Sequence, residues 1–165
     1  MFRIFRSFNN ENIDMKDILL EPIAYVKNNR TEPIDDNWST IESIIELTDD
    51  LLEDCFDGIE DFSHLEVIYY FNKSTKTLIG SEHPRENPKY PKVGIFAQRK
   101  KDRPNHIGAT IVNLIRRERG KLIVTNLDAI DGTPVLDIKP VFKEFLPMGE
   151  VQQPEWTIDL MKNYW

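Results

Sequence analysis

A single cysteine, Cys55, stands in 165 residues, so no intrachain disulfide can form. The three histidines, His64, His83 and His106, are far apart, and no Cys/His grouping has the spacing of a zinc site. Long hydrophobic runs are missing as well. No stretch approaches the roughly 18 apolar residues that a membrane span requires. The basic, apolar start "MFRIFRSF" lacks the apolar core and small-residue site of a secretory signal. No Ser-His-Asp or Cys-His arrangement stands out, and Cys55, set among acids, is a poor nucleophile. Repeats and low-complexity segments are absent. The expectation is a cytoplasmic protein with no metal centre and no membrane attachment. What is present, 40% hydrophobic and 30% charged residues, is the composition of one soluble globular domain of this length.

The net charge of −7 is unevenly spread. Asp35 to Asp61 carries eleven acids and no Lys or Arg, whereas Lys92 to Lys121 carries nine bases against two acids, Asp102 and Glu118. An acidic sum argues against a nucleic-acid partner, but recognition follows the local field. Both runs also fit plain solvated surface.

Hydrophobic patterning predicts mostly strands. Ile18–Asn28, Thr40–Leu47 and His64–Asn72 read as strands, the last central because it is β-branched and aromatic. Thr48 to Phe56 reads as a helix capped by Thr48 and ended by Gly58, with Leu51, Leu52 and Phe56 facing the core. Ser74–Lys92, with three prolines, reads as a long loop. Ile107–Arg116 and Lys121–Leu127 read as a hairpin around Gly120. Pro134 and Pro140 mark the following segment as an edge strand or a strapped loop. Pro154 opens a short amphipathic helix carrying Trp156, Leu160, Met161 and Tyr164. With no βαβ alternation, the expected fold is mainly β. It is a small antiparallel barrel-like domain over residues 18–142, with a lead-in over 1–17, a tail and helix over 143–165, and two short helices in all.

Three stretches carry chemistry. In "FAQRKKDRPNHIG", Arg99, Lys100, Lys101 and Arg103 supply fixed positive charge, and Pro104, Asn105 and Gly108 shape a rigid turn feeding a strand. Such a loop suits an anionic ligand, and it equally suits a solvated hairpin corner. "LDAIDGTPVLDIKP" sets Asp128 and Asp131 beside an Asp-Gly turn, where short carboxylates can grip hydroxyls or an amino group or can simply form a turn. "GIEDFSHLEVIYYFN" ends with Asn72 and Lys73 at the mouth of a strand.

Taken together, in this order and spacing, the three stretches resemble the TsaA-like family of S-adenosylmethionine-binding proteins, whose TrmO-type members methylate N6 of threonylcarbamoyladenosine beside the tRNA anticodon. The resemblance covers roughly residues 18–142. It implies a barrel-like methyltransferase that dimerises, with S-adenosylmethionine bound near the dimer interface. Asn72, Lys73, Arg99, Ala109 and Asp128, Ala129, Ile130 and Asp131 fall at its cofactor contacts. Lys100, Lys101, Arg103 and Asn105 would meet tRNA. Trp38 falls in the cofactor-side loop, where it either stacks on adenine or belongs to the core. No catalytic residue is assigned. Asn72 stands where members often have histidine, and His106 where they often have proline. Residues 28–39 are short and acidic, and the C-terminal region differs, which implies a shorter subgroup. A small-molecule methyltransferase and a non-enzymatic cofactor sensor are the competing readings.

Overall fold

The computed structural model describes residues 18–165. The basic start of the chain and the whole of the expected lead-in, residues 1–17, lie outside the described residues.

Alternation builds the core. β1 (Ala24–Lys27) points Ala24 and Val26 inward and Tyr25 and Lys27 outward. β2 (Glu42–Leu47) turns in Ser43 and Ile45, and β3 (His64–Tyr70) turns in Leu65, Val67 and Tyr69. β4 (Ser81–Glu82) and β5 (Val93–Gly94) make a separate two-stranded ladder inside the long proline-bearing segment. β6 (Ile107–Glu118) and β7 (Lys121–Thr125) form the predicted hairpin, with Gly120 at φ +65° in its turn. β8 is Pro134–Pro140. The strands close in the order β1-β2-β7-β6-β3-β8, every pairing antiparallel. Closure leaves no free edge in the barrel.

The β1–β8 seam is the shortest, pairing Ala24 with Val135 and Tyr25 with Pro134. Further hydrogen bonds extend it, from Ile23 N–H to the Val135 carbonyl (2.8 Å) and from Val26 N–H to the Thr133 carbonyl (3.0 Å).

Three expectations need correction. β8 is an interior strand, paired with β1 and β3, because its prolines lie at its two ends, where few ladder donors are lost. The first strand starts at Ala24 instead of Ile18, since Ile18, Leu19 and Leu20 are exposed. The acidic segment forms two 3-10 turns, Glu53–Phe56 and Ile59–Asp61, instead of an α-helix from Thr48. Acids at 49, 50, 53, 54 and 57 repel at helical spacing with no cation among them. Phe56 is buried and Leu51 half-buried, but Leu52 points to solvent. The one α-helix among the described residues is α1 (Glu155–Leu160), with Pro154 at its cap, one position before the first helical turn.

Candidate functional site at one mouth of the barrel

Antiparallel order brings the exits of β1, β3 and β7 and the entrances of β2, β6 and β8 to one end. Four connections gather there: residues 28–41, 71–80, 99–106 and 126–133. The sequence-predicted cofactor residues come from these connections and the start of β6, so the fold brings together what lies up to 93 positions apart in the chain, from Trp38 to Asp131.

The basic loop reaches β6 through an abrupt kink. After Pro104, Asn105 (φ 65°) and His106 (φ 50°) are both left-handed. That geometry is costly for ordinary residues but open to Asn. Phe71 N–H donates to the His106 carbonyl (2.8 Å), binding the kink to the exit of β3. Arg99 is exposed, and its guanidinium donates to the Ala109 carbonyl. Arg103 donates to the Gln98 carbonyl (3.1 Å) and is half-buried, as is Lys101, while Asn105 is exposed. Lys100 is not a free cation. It pairs with Glu82 and, at 3.5 Å, with Asp102. Burial alone would raise the Asp102 carboxyl. The Ser74 hydroxyl (2.7 Å) and the neighbouring Lys101 and Lys100 outweigh it, holding Asp102 below the usual range.

Asp128 is the centre of the mouth. Its Oδ1 accepts hydrogen bonds from the Tyr69 hydroxyl (2.8 Å) and from Thr110, and its Oδ2 accepts one from Tyr164. Burial, and then the Asp128 charge, push both tyrosine hydroxyls well above their ordinary range, so they stay protonated donors. The neighbours Ala129 and Ile130 are buried. Asp131 folds back on β1, its Oδ1 accepting from Asn28 N–H at 3.1 Å, while Asn28 Nδ2 donates to Ser43 Oγ and to the Ala129 carbonyl, both at 2.9 Å. Asn72 and Lys73 are exposed at the rim and reach the carbonyls of Gly132 and Thr31, each at 3.4 Å.

The 28–41 connection forms one wall. Arg30 lies 3.7 Å over the Trp38 ring and donates to the carbonyls of Asn37 (3.2 Å) and Asp36 (2.7 Å). Trp38 is 4% exposed, and its indole N–H donates to the Asp35 carbonyl (3.2 Å), so its ring is enclosed here by the loop itself. Arg85 grips Asp36 with two hydrogen bonds (2.6 and 3.1 Å), tying this wall to the β4–β5 segment. The C-terminal segment is the third layer. Asn37 and Trp38 N–H groups donate to the carbonyls of Asn163 and Tyr164, each at 2.9 Å. Tyr90 and Lys89 both meet Asp159 of α1 at 2.8 Å.

Sequence reasoning missed Tyr69, Thr110, Arg30 and Arg85. Tyr69 carried a signal: it sits on the inward alternation of β3, and a buried tyrosine hydroxyl needs a partner. Nothing in the pattern marks Arg30 or Arg85.

Charge is arranged differently from the linear reading. The far half of the basic run is neutralised by the acidic run. Arg117 pairs with Asp57 and, at 3.2 Å, with Glu60; Arg119 pairs with Glu53 and Lys121 with Glu46, each at 2.8 Å. These pairs lie at the opposite end of the barrel. The open surface hollow there, lined by Glu53, Glu60 and residues 114–119, is shallow, and its charges are largely spent on one another. The candidate site therefore belongs at the Asp128 mouth. Among the described residues, no group of three or more His, Cys, Asp or Glu is placed to hold a metal ion. No helix there is long and apolar enough to cross a membrane.

These features define a closed antiparallel β-barrel whose one mouth gathers Arg99 and the hydroxyl-bonded carboxylate of Asp128. The tRNA-methyltransferase O N-terminal domain model matches residues 24–145, and the chain belongs to that family. It is 40% identical over 106 residues, 64% of this chain, to a Pyrococcus abyssi protein named a probable S-adenosyl-L-methionine-binding protein. It is 37% identical over 110 residues, also 64% of this chain, to the Homo sapiens tRNA (adenine(37)-N6)-methyltransferase. It spans 55% of the first relative and 24% of the second. A crystal structure of TrmO from Pseudomonas aeruginosa superposes with a TM-score of 0.68 at 25% identity, over 82% of this chain and 61% of that one.

Proposed function

We propose that the protein is an S-adenosylmethionine-dependent methyltransferase acting on N6 of the adenosine at position 37 of tRNA, with threonylcarbamoyladenosine as the acceptor. The observation that carries this reading is the placement of Arg99 and Asp128 on one mouth, joined through adjacent residues of β6: Arg99 on the Ala109 carbonyl, Asp128 on the Thr110 hydroxyl. Family membership and the names of the relatives support it.

The donor set fits the cofactor. Its methionine end carries a carboxylate and an ammonium, and its sulfur is cationic. Arg99 has five N–H donors and spends one on Ala109, leaving a fork for the carboxylate. Asp128 has no cationic partner among the described residues, so its charge is available to a cationic ligand. Ala129 and Ile130 offer an apolar floor. When bound, the cofactor supplies an electrophilic methyl group. The chain's part is to hold both reactants in line and away from water. Lys101 and Arg103 are the cations of this loop left to meet tRNA phosphates. Lys100, held by Glu82, instead supports the loop.

A homodimer accompanies this reading. The outward face of β3 and β6 exposes Tyr70, Ile107, Ile111 and Ile115, the isoleucines on the same strand that Arg99 grips, an apolar strip suited to a second copy. Light scattering is expected to give twice the monomer mass at micromolar concentration, and a monomer mass refutes it.

Mass spectrometry of tRNA nucleosides from a deletion strain tests the activity. In an organism that makes methylated threonylcarbamoyladenosine, its level is expected to collapse, and an unchanged level removes the tRNA reading. Titration calorimetry tests the cofactor, and absence of heat at millimolar S-adenosylmethionine refutes it.

A further inference from the structure

Tyr164 comes from the far C-terminal segment, outside the matched domain, yet its hydroxyl ends on the central carboxylate of the mouth. Two backbone hydrogen bonds seat this segment, from Asn37 N–H to Asn163 and from Trp38 N–H to Tyr164, both 2.9 Å. Its ring stands edge-on to Trp165, with centroids 5.1 Å apart. Upstream, α1 is fastened to the β4–β5 segment through Asp159 with Tyr90 and Lys89, and Trp156 lies 6.2 Å from the Tyr90 ring. The segment is thus anchored at two places, at α1 upstream and at the backbone of Asn163 and Tyr164.

Asp128 would be half-fixed without it. Tyr69 and Thr110 both reach Oδ1, which leaves rotation about the Cβ–Cγ bond restrained from one side only. Tyr164 takes the other oxygen, Oδ2. With both oxygens bonded by neutral donors, the carboxylate loses its freedom without gaining an ion-pair partner among the described residues.

We propose that Tyr164 is a positioning residue of the cofactor site: it fixes Asp128 so that the carboxylate faces a cationic group of the ligand, and the C-terminal segment thereby completes the site. This rests on the S-adenosylmethionine reading above. Tyr164 acts through Asp128, so its contribution depends on ligand charge. A tyrosine that merely closed the mouth would affect every adenosine ligand alike.

The test is a set of calorimetric titrations of wild type, Tyr164→Phe and Asp128→Asn with three probes. S-adenosylmethionine carries a sulfonium and an ammonium, S-adenosylhomocysteine only the ammonium, and 5′-methylthioadenosine neither. Tyr164→Phe keeps the ring and the backbone bonds. It is expected to weaken S-adenosylmethionine about tenfold, ~1.4 kcal/mol, and to leave 5′-methylthioadenosine within about twofold. The response of S-adenosylhomocysteine tells which cation Asp128 faces: loss of affinity names the ammonium, retention the sulfonium. Asp128→Asn is expected to show the same ordering with larger losses. Equal weakening of all three probes, or none, overturns the proposal, whichever of the two variants remains folded. Wild type that binds none of the three instead overturns the cofactor reading itself.

Discussion

Replacing Gly108 with alanine tests the architecture of the mouth from within. Gly108 is buried at the start of β6, directly opposite Tyr69 in the ladder. A Cβ there would lie 2.4 Å from Tyr69 Cε2, 2.5 Å from its Cζ and 3.0 Å from Phe71 Cζ. Carbon pairs sit comfortably at about 3.5–4.0 Å, so the ring must move by roughly 1 Å. It has little room, being 1% exposed, packed edge-on against Phe71 at 5.3 Å and tethered to Asp128 at 2.8 Å. Overpacking costs about 1–3 kcal/mol, and a lost hydrogen bond to a charged group about 1.5–3. Because the ring can surrender one to relieve the other, a total of about 2–4 kcal/mol is expected. At this chain length each kcal/mol lowers Tm by roughly 2–4 °C, which gives a fall of roughly 4–16 °C in a circular-dichroism melt. In a Tyr69→Leu background the same alanine is expected to cost less than about 1 kcal/mol, since the clashing ring is gone. A melt within about 1 °C of wild type, or an undiminished cost in the leucine background, refutes the reasoning.

Arg99→Ala is expected to weaken S-adenosylmethionine binding by about 1.5–3 kcal/mol in calorimetry, and undiminished affinity rules out Arg99 as the carboxylate partner. Arg85→Ala breaks a bidentate, partly shielded pair and is expected to cost about 1 kcal/mol, with faster amide exchange in residues 34–38 than in the barrel. Lys101→Ala and Arg103→Ala are each expected to lower the slope of log affinity for tRNA against log salt by about 1. Lys100→Ala is expected to leave that slope and reduce stability instead. Asp102 stabilises through a depressed carboxyl. That contribution is complete above the ordinary aspartate value of about 4 and is lost as pH falls through the lower folded value. Asp102→Asn is therefore expected to flatten the acid limb of stability measured by urea unfolding, and an unaltered limb sinks the assignment.

The barrel was largely legible because alternation is a local code. Ala24/Val26 and Leu65/Val67/Tyr69 each announce a strand and its inward face. Two failures have long-range causes. Pro134 and Pro140 read as marks of an edge, yet closure of the sheet depends on β8 having partners on both sides, which no local pattern records. The helix expected from Thr48 had the apolar spacing but met five acids without a cation inside it. Cations for two of the five, Arg117 at Asp57 and Arg119 at Glu53, arrive from the β6–β7 hairpin about sixty residues away.

The same pairing explains the acidic pI of a chain proposed to bind tRNA. Summed along the chain, the basic run extends to Lys121. Folded, Arg117, Arg119 and Lys121 are matched by Asp57, Glu60, Glu53 and Glu46 at one end, so their field is largely cancelled there. At the other end Asp35 and Asp36 are taken by Arg85, and Lys100 by Glu82 and Asp102. Arg99, Lys101 and Arg103 are the bases of that loop left without a carboxylate among the described residues, and all three stand on the rim of the mouth that holds Asp128. An acidic protein can thus present a short basic edge because most of its surplus acid lies elsewhere on the surface. The charge that matters to a polyanion is the set left over after folding, and that set is decided by pairs far apart in the chain.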